Sequence, residues 1–384
     1  MLLAVTNMAH IIIANVLIVL SLGYFIPLIV FAVGHFRVMR KSKPSREGEG
    51  RGEALAASSV SIVIAARNEE DGIFDCLESV LNQTLQAEVI VVDDGSTDKT
   101  AEIIAEFGPT ITLIRATGGT GKRSALELGI EAAQGDIVLL TDADSVVPPR
   151  WVESMLAYFD EKTGFVAGPV QFEGGRGVFD RMVALEWAGL MGICVGAIGA
   201  GRPINCSGAN IAYRKEAYRS VSGFEAMGGL TSGDDELLMQ RIAEETDWEI
   251  QFAASRDAIV TSQAPQTVSE FLAQRKRWAS KGGYYSRAWH VIMNIAIWFF
   301  YAALPISMVV AFWNPDLWAP VLLVLGVKMV IELSILLQST LFYGNVRLLR
   351  TYFWALPFQV GYVVWAGAAG LFGNYEWKSR KVKR

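Results

Sequence analysis

Charged residues are scarce in this 384-residue chain: Asp, Glu, Lys and Arg make up 19% of it, against about a quarter in an average soluble domain. The shortage is local. Residues 11–33, 288–315 and 351–375 contain none of the four, while almost every charge lies between Arg37 and Arg287. Cysteine is scarcer still. Cys76, Cys194 and Cys206 are odd in number and far apart, which excludes a disulfide framework and any zinc pattern. The three histidines all lie in or beside the uncharged segments, which argues against a histidine-based hydrolase. A net charge of −5 gives no support to nucleic acid as a partner. Disorder is excluded by the 52% of hydrophobic residues. Nucleotide-binding glycine patterns are missing too. Gly118-Gly119-Thr120-Gly121-Lys122-Arg123 has Ala116 where a P-loop needs its first glycine and Arg123 where it needs Ser or Thr. No dinucleotide fingerprint follows the first strand, and in Gly229–Gly233 the serine is misplaced for a nucleophile elbow.

What is present begins with length. Ile11 to Val33 can cross a bilayer, which needs roughly 20 residues. Nothing positive precedes it, and Arg37, Arg40, Lys41, Lys43 and Arg46 follow. Residues 1–36 therefore read as a signal anchor rather than a cleaved signal peptide, with the chain after it on the cytoplasmic side. Residues 37–58 form a polar linker. Within 288–375, three further candidate spans run over about 289–313, 318–342 and 351–373, preceded by Arg275, Lys276, Arg277, Lys281 and Arg287. Lys328 and Glu332 lie one helical turn apart inside the second, either as a self-neutralising pair or as a polar contact near substrate. Trp187–Gly201 is apolar but too short to span, and reads as a core or interfacial helix. Three crossings would leave the basic tail, residues 376–384, outside, against the charge rule, unless one segment is re-entrant or the tail breaks the rule.

Between these segments, residues 59–287 alternate. Short β-branched runs at Val60–Ala65, Val89–Val92, Ile111–Ile114 and Ile137–Leu140 are each followed by a helical period: Glu70–Leu81, Thr97–Phe107, Lys122–Ala133 and Pro149–Phe159. That alternation predicts a parallel sheet covered by helices, with ligands at the carboxyl ends of the strands. Polar clusters fall at those ends: Arg67-Asn68-Glu69, Asp93-Asp94-Gly95-Ser96 and Asp142-Ala143-Asp144. Alternate residues of an extended chain point the same way, so Asp142 and Asp144 can converge on a hard cation, Mg²⁺ or Mn²⁺, together with substrate phosphates.

The stretches Ser61–Glu70, Val92–Asp98, Gly121-Lys122 and Asp142-Ala143-Asp144, followed by Cys206–Asn210, Ser232–Glu236 and Gln274-Arg275-Lys276-Arg277-Trp278, resemble family-two glycosyltransferases with a Q-x-x-R-W motif. The likeness runs from about Ser58 to Lys281. It implies a GT-A fold, a Rossmann-like α/β domain with a mostly parallel sheet, and inverting, metal-dependent hexosyl transfer from a UDP- or GDP-linked sugar. By family position Asp235 is the base, with Asp234 beside it where the family has glutamate. Ala65, Arg67, Glu69, Asp93, Asp94, Lys122, Asp142 and Arg277 would meet the donor. Gln274, Trp278, Ser207 and Gly208 would meet the acceptor, and Asp144 with Asp142 the metal. Arg275, Lys276 and Lys281 would be left to meet anionic lipid. Plainer readings accompany these: helix capping by Asp234 and Asp235, and an Asx turn before Gly95.

The function expected from this is a multi-pass enzyme of the inner or plasma membrane with its catalytic domain in the cytoplasm. It would add a sugar to a lipid-soluble hydroxyl of glycolipid, polyprenyl phosphate or carotenoid type. The alternatives are a processive polysaccharide synthase of the same family and a non-catalytic nucleotide-sugar-binding protein.

Overall fold

The structure, a computed structural model, describes residues 2–41, 59–116, 121–175, 177–225, 234–283, 285, 287–371, 375–377 and 380–382. The linker from residue 42 to 58, Gly118–Thr120, Gly228-Gly229, Ser232-Gly233 and, in the tail, Lys378, Lys383 and Arg384 lie outside the described residues. The chain divides into two compact units. One comprises Met1–Val33, Arg176–Ile193 and Pro265–Arg384, the other Gly34–Gly175 and Cys194–Ala264.

The second of these units is built on a seven-stranded sheet. Its strands are β1 Val60–Ala66, β2 Glu88–Asp93, β3 Thr112–Arg115, β4 Ile137–Leu140, β5 Thr163–Ala167, β7 Ile211–Arg214 and β8 Glu249–Phe252, in the order β3-β2-β1-β4-β7-β5-β8. The strands β1, β2 and β4 are apolar almost throughout and buried on both faces, as parallel strands under helices must be. The expected β1–β4 pattern is present and parallel. One strand departs from it: β7 runs antiparallel to both β4 and β5. Its direction was illegible because burial on both faces reads the same either way along the chain. A small parallel pair, β6 Val170–Phe172 with β9 Val260–Ser262, lies outside the main sheet.

Helices α2 Ile73–Leu81, α3 Thr100–Glu106, α4 Lys122–Ala132 and α5 Trp151–Leu156 follow the first four strands. Helix α4 comes unusually close to the sheet. A Cβ on Gly129 would stand 2.4 Å from Val63 Cγ1 and 3.1 Å from Val92 Cγ2. Glycine there lets the helix lie on β1 and β2 and fixes the height of its first residue, Lys122.

The other unit is helical. It includes most of α1 Leu2–Lys41, the first part of α6 Val178–Gly199, and α9 Val268–Ala279, α10 Ala288–Ala311, α11 Trp318–Phe342 and α12 Tyr352–Leu371. Its core joins Leu17, Tyr24 and Leu28 of α1 to Phe300 and Leu304 of α10 and Val321 and Ile335 of α11. Four helices among the described residues are long and apolar enough to cross a membrane: Ile11–Lys41, Val178–Gly199, Ala288–Ala311 and Pro315–Phe342.

One of these assignments differs from the sequence expectation. The Trp187–Gly201 run is the end of a 22-residue helix that starts at Val178. Asp180, Arg181 and Glu186 had masked its apolar length. Inside the protein α6 is also the most enclosed of the four, with 61% of its apolar window buried against 28% for α10. Residues 351–373 form a helix over Tyr352–Leu371, without a charged residue in it.

The helix–sheet contact in the second unit predicts a specific sensitivity. Gly129→Val should lower stability by about 1–3 kcal/mol, the usual cost of overpacking, and Gly129→Ala by less, as read by denaturant unfolding of the purified chain.

Candidate active site

The polar clusters predicted at strand ends come together in the sheet-containing unit, and their loops are tied to one another. Asn68, just past β1, has φ 50°, a left-handed conformation that asparagine tolerates. From there its side-chain oxygen accepts the Thr97 amide at 2.9 Å, and its own amide donates to Ser96 Oγ at 3.1 Å. The Glu69 amide donates to Thr100 Oγ1 at 2.8 Å. These bonds lock the loop after β1 to the loop after β2.

Asp93 turns back to accept the Ser96 amide at 3.1 Å, the Asx turn that the sequence also allowed. Asp94 is almost fully buried. Its two oxygens each accept the Gly121 amide at 3.1 Å, and Arg67 Nη1 lies 3.6 Å away. Arg67 also donates to the Asp94 carbonyl at 2.9 Å. Gly121 has φ 101°, which a side chain would strain. This glycine was noticed in the sequence as part of a motif, but not as the partner of Asp94. Ala65 is half-buried and paired with Val92 in the ladder, two residues before Arg67.

Buried Thr141, Ala143 and Ser145 alternate with partly open Asp142 and Asp144, so both carboxylates face one side. That is an oxygen-only, incomplete donor set, which fits a hard cation that keeps water or phosphate ligands. Among the described residues no group of three or more His, Cys, Asp and Glu forms a closed cage, so such a cation would depend on a substrate's oxygens. Beneath this loop Cys76 is buried and its thiol donates to the Asp142 carbonyl at 3.4 Å. Burial, then the carboxylates of Asp144 and Asp142, push that thiol well above its usual range.

Lys122, the first residue of α4, pairs with Asp142. Burial works to lower its ammonium's pKa, but Asp142, then Asp235 and Asp144, more than offset this and hold it above its ordinary value. All three carboxylates thus act on one ammonium group. Asp234 and Asp235 open α8 Asp234–Glu245. Asp234 is buried, whereas Asp235 is partly open. The Asp235 carboxylate rests against Gly208, its Oδ2 2.9 Å from where a Cβ would be. Ser207 is also partly open, and its carbonyl accepts the Asn210 amide at 3.0 Å.

Asn210 is the residue whose role the sequence did not reveal. Fully buried, it accepts Trp151 Nε1 at 2.9 Å and donates to the carbonyls of Pro169 and Ala258 at 2.8 Å each. It thereby fixes the loop that carries Ser207 and Gly208.

Gln274, Arg277 and Trp278 lie on α9, in the helical unit. There Gln274 accepts a hydrogen bond from Arg275, and the Arg275 guanidinium lies 4.2 Å from the ring centroids of both Phe271 and Trp278. Arg275 is buried and paired with Glu186, with Nε to Oε1 at 3.0 Å. The expectation that Arg275 and Lys281 meet lipid headgroups is therefore corrected: both are buried inside the unit.

The mostly parallel sheet, with carboxylates at its strand ends, has the GT-A architecture. Residues 61–222 match the family described as glycosyl transferase family 2. Poly-beta-1,6-N-acetyl-D-glucosamine synthase of Staphylococcus epidermidis is 27% identical over 243 residues, 60% of this chain and 56% of that protein. A probable glycosyltransferase of Bacillus subtilis, YdaM, is 28% identical over 248 residues, 59% of this chain and 55% of its own length. The chain thus spans little more than half the length of these curated relatives. Among solved structures, the mannosyltransferase PcManGT from Pyrobaculum calidifontis, in complex with GDP-Man and Mn²⁺, shares the fold. Its TM-score is 0.61 at 20% identity, over 94% of this chain and 99% of that one.

If Asn210 holds the loop as described, Asn210→Ala leaves one indole N–H and two carbonyls unsatisfied. It should cost at least about 2 kcal/mol, measured by denaturant unfolding, whereas the exposed Asn82→Ala should be close to neutral.

Proposed function

We propose that this chain is a membrane-bound inverting glycosyltransferase that moves a sugar from a UDP- or GDP-linked donor to a lipid-soluble hydroxyl. The unit holding the sheet would lie on the cytoplasmic side of the inner or plasma membrane, a reading supported by the basic residues that flank the apolar segments. Direct transfer with inversion needs a single base on the acceptor hydroxyl and a counter-charge for the departing diphosphate. Asp235 is the base in this reading, supported by its partial exposure against Gly208 and its coupling to Lys122. Asp94, held by Gly121 and Arg67, would take the nucleoside, with Asp93, Ala65 and Glu69 shaping the walls. Asp142 and Asp144 would hold Mg²⁺ or Mn²⁺, whose chemistry is to neutralise the diphosphate. Lys122 and Arg277 would contribute further positive charge, and Gln274, Trp278, Ser207 and Gly208 belong to the acceptor side.

A second reading, a processive polysaccharide synthase, is favoured by the Staphylococcus relative, whose name states a polysaccharide product. The observation that carries the first reading is the interior of the helical unit. Tyr24, Phe300, Tyr301, Leu304 and Val321 are packed into one buried cluster there, where a polymer channel would need polar, open walls. Incubating membranes with labelled nucleotide sugars, then separating lipid-extractable from insoluble product, distinguishes the two readings. Label that accumulates only as insoluble polymer would overturn the first.

Asp235→Asn keeps size and hydrogen bonding but cannot accept a proton. Its kcat should fall by at least about 10²-fold with donor affinity nearly unchanged, while Asp234→Asn should cost more in stability than in kcat. Reversed losses would move the base by one residue. Chelator should abolish transfer and Mn²⁺ or Mg²⁺ restore it, and Asp144→Asn should lose far more activity than the exposed Asp75→Asn. Full activity in excess chelator would refute the metal role.

A further inference from the structure

The helical unit holds a cavity of about 100 Å³ that the sugar-transfer residues do not use. Most of its lining is apolar, with Leu185 and Ile193 of α6, Leu336 of α11 and Leu356 and Phe358 of α12 among the walls. Set into that lining are the carboxylates of Glu186 and Glu332, the phenols of Tyr352 and Tyr362, and the Gln359 amide.

The two carboxylates are held by cations outside the lining and by phenols within it. Glu332 Oε1 accepts Lys328 at 2.6 Å, Tyr24 at 2.5 Å and Tyr301 at 3.2 Å, while Oε2 accepts only Tyr352, at 2.6 Å, among the described residues. Glu186 takes Arg275 on both oxygens and Tyr362 on Oε1 at 2.8 Å. Neither cation lines the cavity. An ionised carboxylate accepts about four hydrogen bonds in all, so Glu332 Oε2 and Glu186 Oε2 each retain an acceptor position.

A ligand for this cavity must therefore donate a hydrogen bond, carry no negative charge and be apolar otherwise. A phosphate fails on the first two counts: it is chiefly an acceptor, and it would meet two carboxylates whose counter-ions do not line the cavity. Size adds a limit. A cavity of roughly 150 Å³ takes a benzene ring, so this one excludes a hexose but admits the hydroxylated end of an unbranched or isoprenoid chain.

We propose that this cavity is a binding site for an uncharged lipid alcohol, its hydroxyl bonded to Glu332 or Glu186 and its chain lying along Leu336 and Leu356. This deepens the lipid-acceptor reading of the proposed function and rests on it for the claim that the bound alcohol is the acceptor. The binding itself stands independently of catalysis.

The experiment uses the full-length chain in detergent micelles and a diazirine-bearing C20 isoprenoid alcohol, with unlabelled alcohol and its monophosphate as competitors. Photolabelling should fall on peptides covering residues 182–193 and 352–362, and tenfold excess alcohol should suppress it at least fivefold, whereas the monophosphate should not. Ala355→Phe, which fills the lining from α12, should cut labelling at least fivefold without lowering Tm. Should that variant unfold, Gln359→Leu provides the same test from a polar position. Equal competition by the monophosphate would overturn the selection by carboxylates, and labelling unchanged in both variants would overturn the site. Selective labelling without any sugar transfer to the alcohol would uphold the binding site and refute its role as acceptor.

Discussion

Carboxylates gathered at one end of a sheet repel one another, and in the sheet-containing unit a single ammonium group holds them together. Lys122 stands at the first position of α4, where a cation opposes the helix dipole at a cost of about 0.3–1 kcal/mol. Asp142 meets it directly, and Asp144 and Asp235 act on it from nearby. A pair about one-third exposed returns no more than about 1 kcal/mol, so Asp142 alone would barely offset the dipole. Three carboxylates together do. The arrangement is tolerated rather than strongly favoured, which leaves its charges open to rearrangement by a bound ligand.

The backbone around this group is correspondingly rigid. Asp94 is fixed by an amide and a guanidinium, Asn68 and Thr100 join two loops, and Asn210 ties three segments through one side chain. Moving Asn210, Asn68 or Asp94 would therefore leave a bonded partner unsatisfied. Gly129 plays the same part by contact rather than by hydrogen bonding, since the height of α4 above the sheet sets where Lys122 can reach.

Much of this was legible in the sequence, and the limits follow from physics. Strands β1 to β4 announced themselves because buried parallel strands are continuous apolar runs, and the acid clusters stood out because they end those runs. The direction of β7 did not, since no residue in Ile211–Arg214 records it. The full length of α6 was hidden by Asp180, Arg181 and Glu186, which interrupt the apolar run although Glu186 is neutralised by Arg275 and Tyr362 from distant parts of the chain. Asn210 could be noticed in its motif, but its three partners lie 59, 41 and 48 residues away, beyond any local pattern. The Lys328–Glu332 pair was visible as a helical neighbour pair, yet its tyrosines come from three other helices.

The two units treat buried charge differently, and the contrast separates structure from ligand. In the helical unit Glu186 and Glu332 are each neutralised by one cation and steadied by phenols, so what is left over is a lone pair rather than a charge. In the sheet-containing unit three carboxylates act on one lysine, so what is left over is negative charge. A leftover lone pair in apolar walls selects a neutral donor such as an alcohol. Leftover negative charge on a half-open surface selects a cation. One chain thus presents two kinds of incompletely satisfied polar group, one suited to a neutral hydrogen-bond donor and the other to a cation.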